Sequence, residues 1–490
     1  MPSGDTDDAA TESELRDLVD RLLTRDPDVH RRALERLAEV GDERVVPHLI
    51  EVEMIDAIGN NWSEFGFPEV LRDRAPPRYL ELPEASWPGV EETLAAIADP
   101  SFDSRYAWVE WETWYSQRDL EPLAGFDDWK LQLYRSFLPP VGRLLDVEPR
   151  EFALQDVRWG NCDSSFLAAL NGPDFVPGDA VEADGSGGEY ERYLDADDLV
   201  FGFEFDGQAY AVPRWVLFPH EMLNVELDGV QLSLTFCTLC NAPILYDCWV
   251  GDRDLTFAST GMLLDGNKVM FDEETESLWS QHRGVPIAGE FAAKGDGDVR
   301  LDVLPVTQTD WADWKAAHPD TLALDLDTGY DYDYRFYDGN IGFFRHYWED
   351  ENAVQPGVEV GDDRLPEKES VYGVTGEDPE SVLIFPVEAV RERGPVVGDL
   401  DDRELVALAD ETGDVAVYEA PPAPVEEATE GGDLVDAEGR QWTVSRDALV
   451  GGESDDRLER VAGRHGLWFA FRSQYDDARV AAGEESENGE

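Results

Sequence analysis

From about residue 196 the chain reads as one plan written twice. Around Gly202 it runs VFGFEFDGQAYAVPRWVLF, and around Gly373 it runs VYGVTGEDPESVLIFPVEAV. Each is a strand, a Gly-containing turn and a second strand closing on Pro. LSLTFC at 232–237 is answered by ELVALAD at 404–410, and VMFDEETESLW at 269–279 by DLVDAEGRQW at 433–442. Asp272 thereby aligns with Asp436 and Trp279 with Trp442. Both copies then reach an aromatic helix, with Trp311 and Trp314 in the first and Trp468 and Phe471 in the second. Such a chain is restricted to two related β-rich modules, expected at 196–326 and 366–480, which pair to bury strand faces that neither covers alone. Only the first copy carries reactive side chains, His220, Glu221, Cys237 and Cys240; the matching stretch of the second has no Cys and no His.

The preceding residues have helical periodicity. In 13–56, Val29, Ala33, Leu34 and Leu37 fall on one face, and Val45, Val46, Leu49 and Ile50 on the next, with Gly41-Asp42 breaking the pattern. This reads as a HEAT-like unit over 1–56, which needs neighbours to stack on. Residues 57–165 continue as a helical, Trp-rich region, with Trp108, Trp111 and Trp114 at helical spacing as a core face. The expected fold class is therefore mixed α and β: a helical HEAT-like N-terminal region followed by two duplicated β-rich modules with short helices. An acidic, Gly-rich loop is expected at 178–191, an aromatic extended connector at 327–365 and a disordered tail at 481–490.

A chain of 490 residues is too long for a single core. Its 108 acidic side chains against 39 basic ones give a net charge of −69, and Lys occurs only at 130, 268, 294, 315 and 368. The acidic residues are scattered and not gathered in a tail. That is the pattern of adaptation to molar salt, where the Debye length falls to about 3 Å and self-repulsion is screened. No basic stripe exists to meet phosphates, so nucleic acid is not an expected partner. No apolar run is long enough to span a bilayer, and the acidic N-terminus lacks a signal segment, so the expected location is cytoplasmic. In a reducing compartment, Cys162, Cys237, Cys240 and Cys248 are expected as thiols or metal ligands.

The stretch FPHEMLNVELDGVQLSLTFCTLCNAPILYD (218–247) holds the chemistry. Cys237 and Cys240, three apart at a strand end, can place two thiolates on one side of a turn. His220 is a candidate nitrogen ligand and Glu221 a further ligand or acceptor for the His, with Met270 or Cys248 as additional donors. Copper or zinc suits that donor set. Two other readings stand beside it: buried cysteines that act as small apolar side chains, and a dithiol redox pair. Asn224, Ser259, Ser277, Ser280 and Gln281 are candidates to line a polar pocket, which would be the basis of an enzyme, although no triad or carboxylate pair accompanies them. A scaffold binding a protein partner through the N-terminal helices is the reading from a different class.

His220-Glu221 with Asn224, the TFCTLCNA run, STG with NKVMFD, TESLWSQ, and WADWKAAHPDT occur in order, and together resemble the domain-of-unknown-function family numbered 3179 over about residues 150–420, more weakly to 480. In that family the Cys run more usually has Pro where Thr238 stands and Gly where Asn241 stands, and Asp follows Asn where Val225 stands. The resemblance implies that His220, Glu221, Cys237 and Cys240 belong to family motifs, and it implies no established activity.

Overall fold

The structure is a computed structural model and describes residues 11–64, 87–98, 107–118, 120–160, 167–181, 193–294, 299–330, 334–337, 347–351, 364–410, 412–429, 433–445, 448–452 and 456–481, with isolated positions between these stretches. The expected tail at 481–490, beyond its first residue, lies outside the described residues. So do 182–191 of the acidic loop, the Trp108 side chain and much of the 327–365 connector.

The N-terminal region is helical, and its boundaries follow from capping chemistry. Glu12–Asp20 begins where the Thr11 hydroxyl accepts the Glu14 amide at 3.2 Å. Pro27–Val40 begins with Pro27 behind an Asp26 cap and ends at Gly41, whose φ of 67° is the left-handed conformation that glycine reaches without steric cost. Val46–Glu64, Val90–Ala98, Ala107–Ser116, Phe126–Phe137 and Pro139–Leu145 follow. Leu15, Leu34, Leu37, Val45, Leu49, Trp111 and Leu133 pack into one core. Within it, Lys130 is paired with Glu51, whose other oxygen accepts the Tyr134 hydroxyl at 2.8 Å, so the buried charges are matched.

That core does not stop at the helices. It runs on into Ala258, Met262, Val269, Phe271, Leu278, Ile287 and Ala288. These residues lie on a five-stranded sheet in the order Arg158–Trp159, Phe257–Leu264, Asn267–Asp272, Leu278–Ser280, Val285–Ala288. Strand alternation sends Met270 to the opposite face, where it meets Trp279, Phe257, Tyr246 and Cys248 in a second core. A second sheet runs Asp302–Leu304, Ala242–Asp247, Val230–Cys237, Met222–Leu227, Leu170–Asn171. A third runs Thr307–Asp310, Leu199–Phe205, Gln208–Pro213, Leu322–Leu324, Phe175–Pro177. The strands at 158–159, 170–171 and 175–177 join these sheets from ahead of position 196. At two or three residues each, they are too short to show alternation in sequence.

The C-terminal part repeats this order. Arg464–Leu467, Ser370–Thr375, Ser381–Pro386 and Asp477–Val480 form a sheet in which the first two contacts are antiparallel and the last is parallel. Thr307–Asp310, Leu199–Phe205, Gln208–Pro213 and Leu322–Leu324 have that same sequence of contacts. A Cβ on Gly202 would collide with the Trp314 ring and one on Gly373 with Phe471, so each strand needs glycine where its aromatic helix crosses. An eight-stranded sheet from Val396 to Val461 completes this part.

Candidate functional site

An Asp-Gly turn, with Asp228 at φ 48° and Gly229 at φ 83°, joins Met222–Leu227 to Val230–Cys237 and sets their register. The second strand ends at Cys237, and Cys237 pairs with Ala242 on the returning strand Ala242–Asp247. Thr238, Leu239, Cys240 and Asn241 therefore make a tight reversal, with Asn241 taking φ 47°. Within it Cys237 and Cys240 are joined by a disulfide, their Cα atoms 5.5 Å apart. Both sulfurs are buried.

Polar side chains from three strands, and from positions just outside two more, gather around this turn. Glu221 has φ 57°, an unusual conformation for a non-glycine residue, held by its amide on Leu217 O at 2.7 Å and its carbonyl under the Phe236 amide at 2.8 Å. Its carboxylate accepts Thr238 Oγ1 at 3.0 Å and Ser259 Oγ at 3.3 Å, and it pairs with the Lys268 ammonium. Asn267 donates Nδ2 to Cys240 Sγ at 3.3 Å and to Gln281 Oε1 at 2.8 Å. Gln281 in turn donates to Thr235 Oγ1 at 2.8 Å and Ala242 O at 3.1 Å. The other side of the disulfide is apolar, formed by Val354, Val358, Leu467, Phe469 and Ala470. The C-terminal part thus closes over it, and the Leu467 amide bonds Cys240 O at 2.9 Å.

The expected metal-ligand set is not brought together. The two sulfurs are bonded to each other. His220 bonds Ala168 O through Nδ1 at 2.6 Å and Tyr334 Oη through Nε2 at 2.8 Å, and packs against Tyr330 and Tyr332. Both ring nitrogens are committed, although Glu221 beside it belongs to the disulfide turn. Met270 and Cys248 sit in a separate apolar cluster, where burial pushes the Cys248 thiol well up and leaves it unreactive. Among the described residues no group of three or more His, Cys, Asp or Glu side chains is placed to hold a metal.

Nor do the expected pocket residues line one space. Ser259 and Gln281 join the disulfide network. Asn224 ties two sheets together, donating to Phe257 O at 2.8 Å and accepting the Phe257 amide at 3.2 Å. Ser277 bonds Thr275 and the Phe291 amide, and Ser280 donates to Gln474 at 2.9 Å. A cavity of about 420 Å³ opens elsewhere, between the two β-rich parts, lined by Glu204, Trp314, His318, Asp410, Tyr418 and Arg460 among others. It takes in Gly202 and Glu204 of the first repeated stretch and Trp314 and His318 of WADWKAAHPDT, but none of the expected site residues.

Sequence reasoning did not single out Asn267, Lys268, Thr235 or Thr238 as members of this site. One signal was present: Lys268 is one of five lysines in a chain of net charge −69 and stands inside an apolar strand pattern, where a cation requires a partner.

The comparisons agree with the motif reading in extent. Residues 169–478 match the family described as protein of unknown function (DUF3179). No curated protein and no solved structure matches the chain. No helix among the described residues is long and apolar enough to cross a membrane.

Proposed function

The chain belongs to the DUF3179 family, and from that premise we propose that Cys237 and Cys240 are a reversible thiol–disulfide couple in the first of two duplicated modules. Reduction breaks the S–S bond with two electrons and two protons from a dithiol donor, which is itself converted to a disulfide. The observation that carries the reading is the convergence of Asn267, Lys268, Glu221, Ser259 and Gln281, from separate sequence motifs, on this one turn. Asn267 is placed to donate to a Cys240 thiolate when the pair opens.

The second module supports a role beyond bracing. Its corresponding reversal joins Arg403–Ala409 to Val415–Glu419 without cysteine. There Asp410 Oδ1 accepts the Thr412 amide at 2.8 Å, with the Thr412 hydroxyl and the Asp414 amide bonding the same oxygen. Hydrogen bonds hold that turn, so a disulfide is not a requirement of the fold. Matching strand order and the Asp272–Trp279 and Asp436–Trp442 bonds support the two-copy reading. The Gly41-ended helix pair supports the HEAT-like one. The scatter of 108 acidic residues supports adaptation to molar salt.

The test is a redox titration of the full chain in graded dithiol and disulfide, with alkylation and mass counting of thiols. A two-thiol step that reverses with the circular dichroism unchanged is expected. A pair that opens only when the protein unfolds identifies a structural staple and rejects the couple. Zinc or copper held stoichiometrically by the reduced protein, and lost in Cys237→Ser, replaces it with the metal-binding reading.

A further inference from the structure

Behind the disulfide network, residues 281–284 form a turn on which three arginines converge. Arg464 is 2% exposed; it donates Nη1 to Thr375 Oγ1 at 3.1 Å and Nη2 to Arg283 O at 3.4 Å, and its Nε has no hydrogen-bond partner. Arg283 pairs with Glu380 through Nη2, while its buried Nε has no partner. Arg300 is brought in by the bond from the Leu301 amide to Gly284 O at 2.9 Å. Its buried Nη2 is unpartnered, and it makes no ion pair among the described residues. Two phenols close the same space: Tyr246 donates to Gln281 O at 2.7 Å and Tyr475 to His282 O at 3.4 Å. The His282 ring, fully buried against Phe471, has neither nitrogen bonded.

Buried guanidinium and imidazole nitrogens without partners are costly, and such groups are normally satisfied by protein, water or a ligand. Among the described residues Glu380 is the one carboxylate ion-paired with these three guanidiniums, and Asp265 acts on Arg283 only through unbonded attraction, so the cluster carries excess positive charge. In a chain carrying 108 acidic residues against 39 basic ones, it is informative that no second carboxylate among the described residues is ion-paired with this cluster. We propose that Arg283, Arg300, Arg464 and His282 form a binding site for a dianionic phosphoryl oxyanion. Charge selects a dianion. The donors arise from three separate segments, around 282–283, at 300 and at 464, which suits a tetrahedral group; a carboxylate is met by one planar guanidinium. Burial and the neighbouring Arg464 and Arg283 hold the His282 pKa well down, so the ring offers one N–H and one lone pair. The site is independent of the redox reading of Cys237 and Cys240.

The experiment uses the full chain in constant high KCl, with inorganic phosphate and glycerol 3-phosphate as separate probes of a free anion and an ester. Phosphate released on acid denaturation of the purified protein is measured as well. The expected result is a rise in Tm with one or both probes, or stoichiometric release of bound phosphate. In Arg300→Gln, apparent affinity falls about tenfold or more, as for loss of a charge-assisted bond. A Cys237→Ser variant retains binding. Arg300→Lys substitutes if Arg300→Gln fails to fold. Equal Tm shifts in wild type and the Arg300 variant overturn the proposal, as does the absence of any shift together with absence of released phosphate.

Discussion

Asn267 donates one side-chain amide to both Cys240 Sγ, at 3.3 Å, and Gln281 Oε1, at 2.8 Å. Gln281 is anchored in turn to the strands that lead into and out of the disulfide turn, through Thr235 and Ala242. The amide is therefore oriented by the fold before any thiolate exists, so its bond to sulfur requires little reorganisation.

Asn267→Ala should slow alkylation of Cys240 near neutral pH in the reduced protein by about tenfold or more, because the thiolate loses a hydrogen bond to a charged group. Because the thiolate form loses support, the disulfide becomes harder to reduce. Alkylation rate against pH checks the first effect and the redox titration the second. An unchanged pH profile defeats the assigned role.

Glu221 and Lys268 form a buried ion pair. Lys268→Met alone leaves a buried carboxylate unmatched and should cost about 3–5 kcal/mol. The double variant with Glu221→Gln should recover a large part of that loss. Denaturant unfolding of the single and double variants measures the difference.

Trp279 donates its indole N–H to Asp272 at 2.9 Å, and Trp442 donates to Asp436 at 3.0 Å. Replacing either Trp by Phe removes the donor and part of a buried ring, so each should cost about 2–4 kcal/mol. The two losses should agree within about 1 kcal/mol, given the matched geometry and burial. Thermal unfolding of each variant is the check.

His48 is enclosed by Phe126 and Trp129, and burial holds its pKa down at about 3. The depressed folded value means that the unfolded chain takes up the proton first on acidification. Stability from this group is complete above about pH 6.5 and falls as pH drops toward 3, by about 1.4 kcal/mol per unit. His48→Phe removes this share, so the wild type should lose about 2 kcal/mol relative to the variant between pH 6.5 and pH 5. Carboxylates raised by burial, such as Glu53 at about 8, act in the opposite direction in both proteins and cancel in the comparison.

The parts of the molecule legible in sequence were those with a local cause. Helix ends at Thr11, Asp26 and Gly41 follow from capping residues next to apolar periodicity. Cys237, Cys240, Ser259 and Gln281, reactive or polar side chains in an apolar strand context, are conspicuous in sequence and share one network in the fold. Adjacency in sequence suggests one shared role for His220 and Glu221. The left-handed Glu221 backbone separates the partners of the two side chains, sending Glu221 to Lys268 and His220 to Tyr334. The arginine cluster was out of reach, since Arg283 and Arg464 meet only after strands far apart in sequence are brought together. No periodicity encodes that meeting.

Each β-rich part is completed by a strand that runs parallel to its second strand, Leu322–Leu324 beside Gln208–Pro213 and Asp477–Val480 beside Ser381–Pro386. A parallel neighbour cannot be reached by a hairpin, and here nearly the whole part is made between the two strands. During synthesis, the apolar edge of Gln208–Pro213 therefore waits unpaired until residue 324 has left the ribosome. Long-range closure of this kind is slow, and it leaves the nascent chain open to mispairing. With two such parts alike in strand order, the competing partner for each waiting edge is the closing strand of the other.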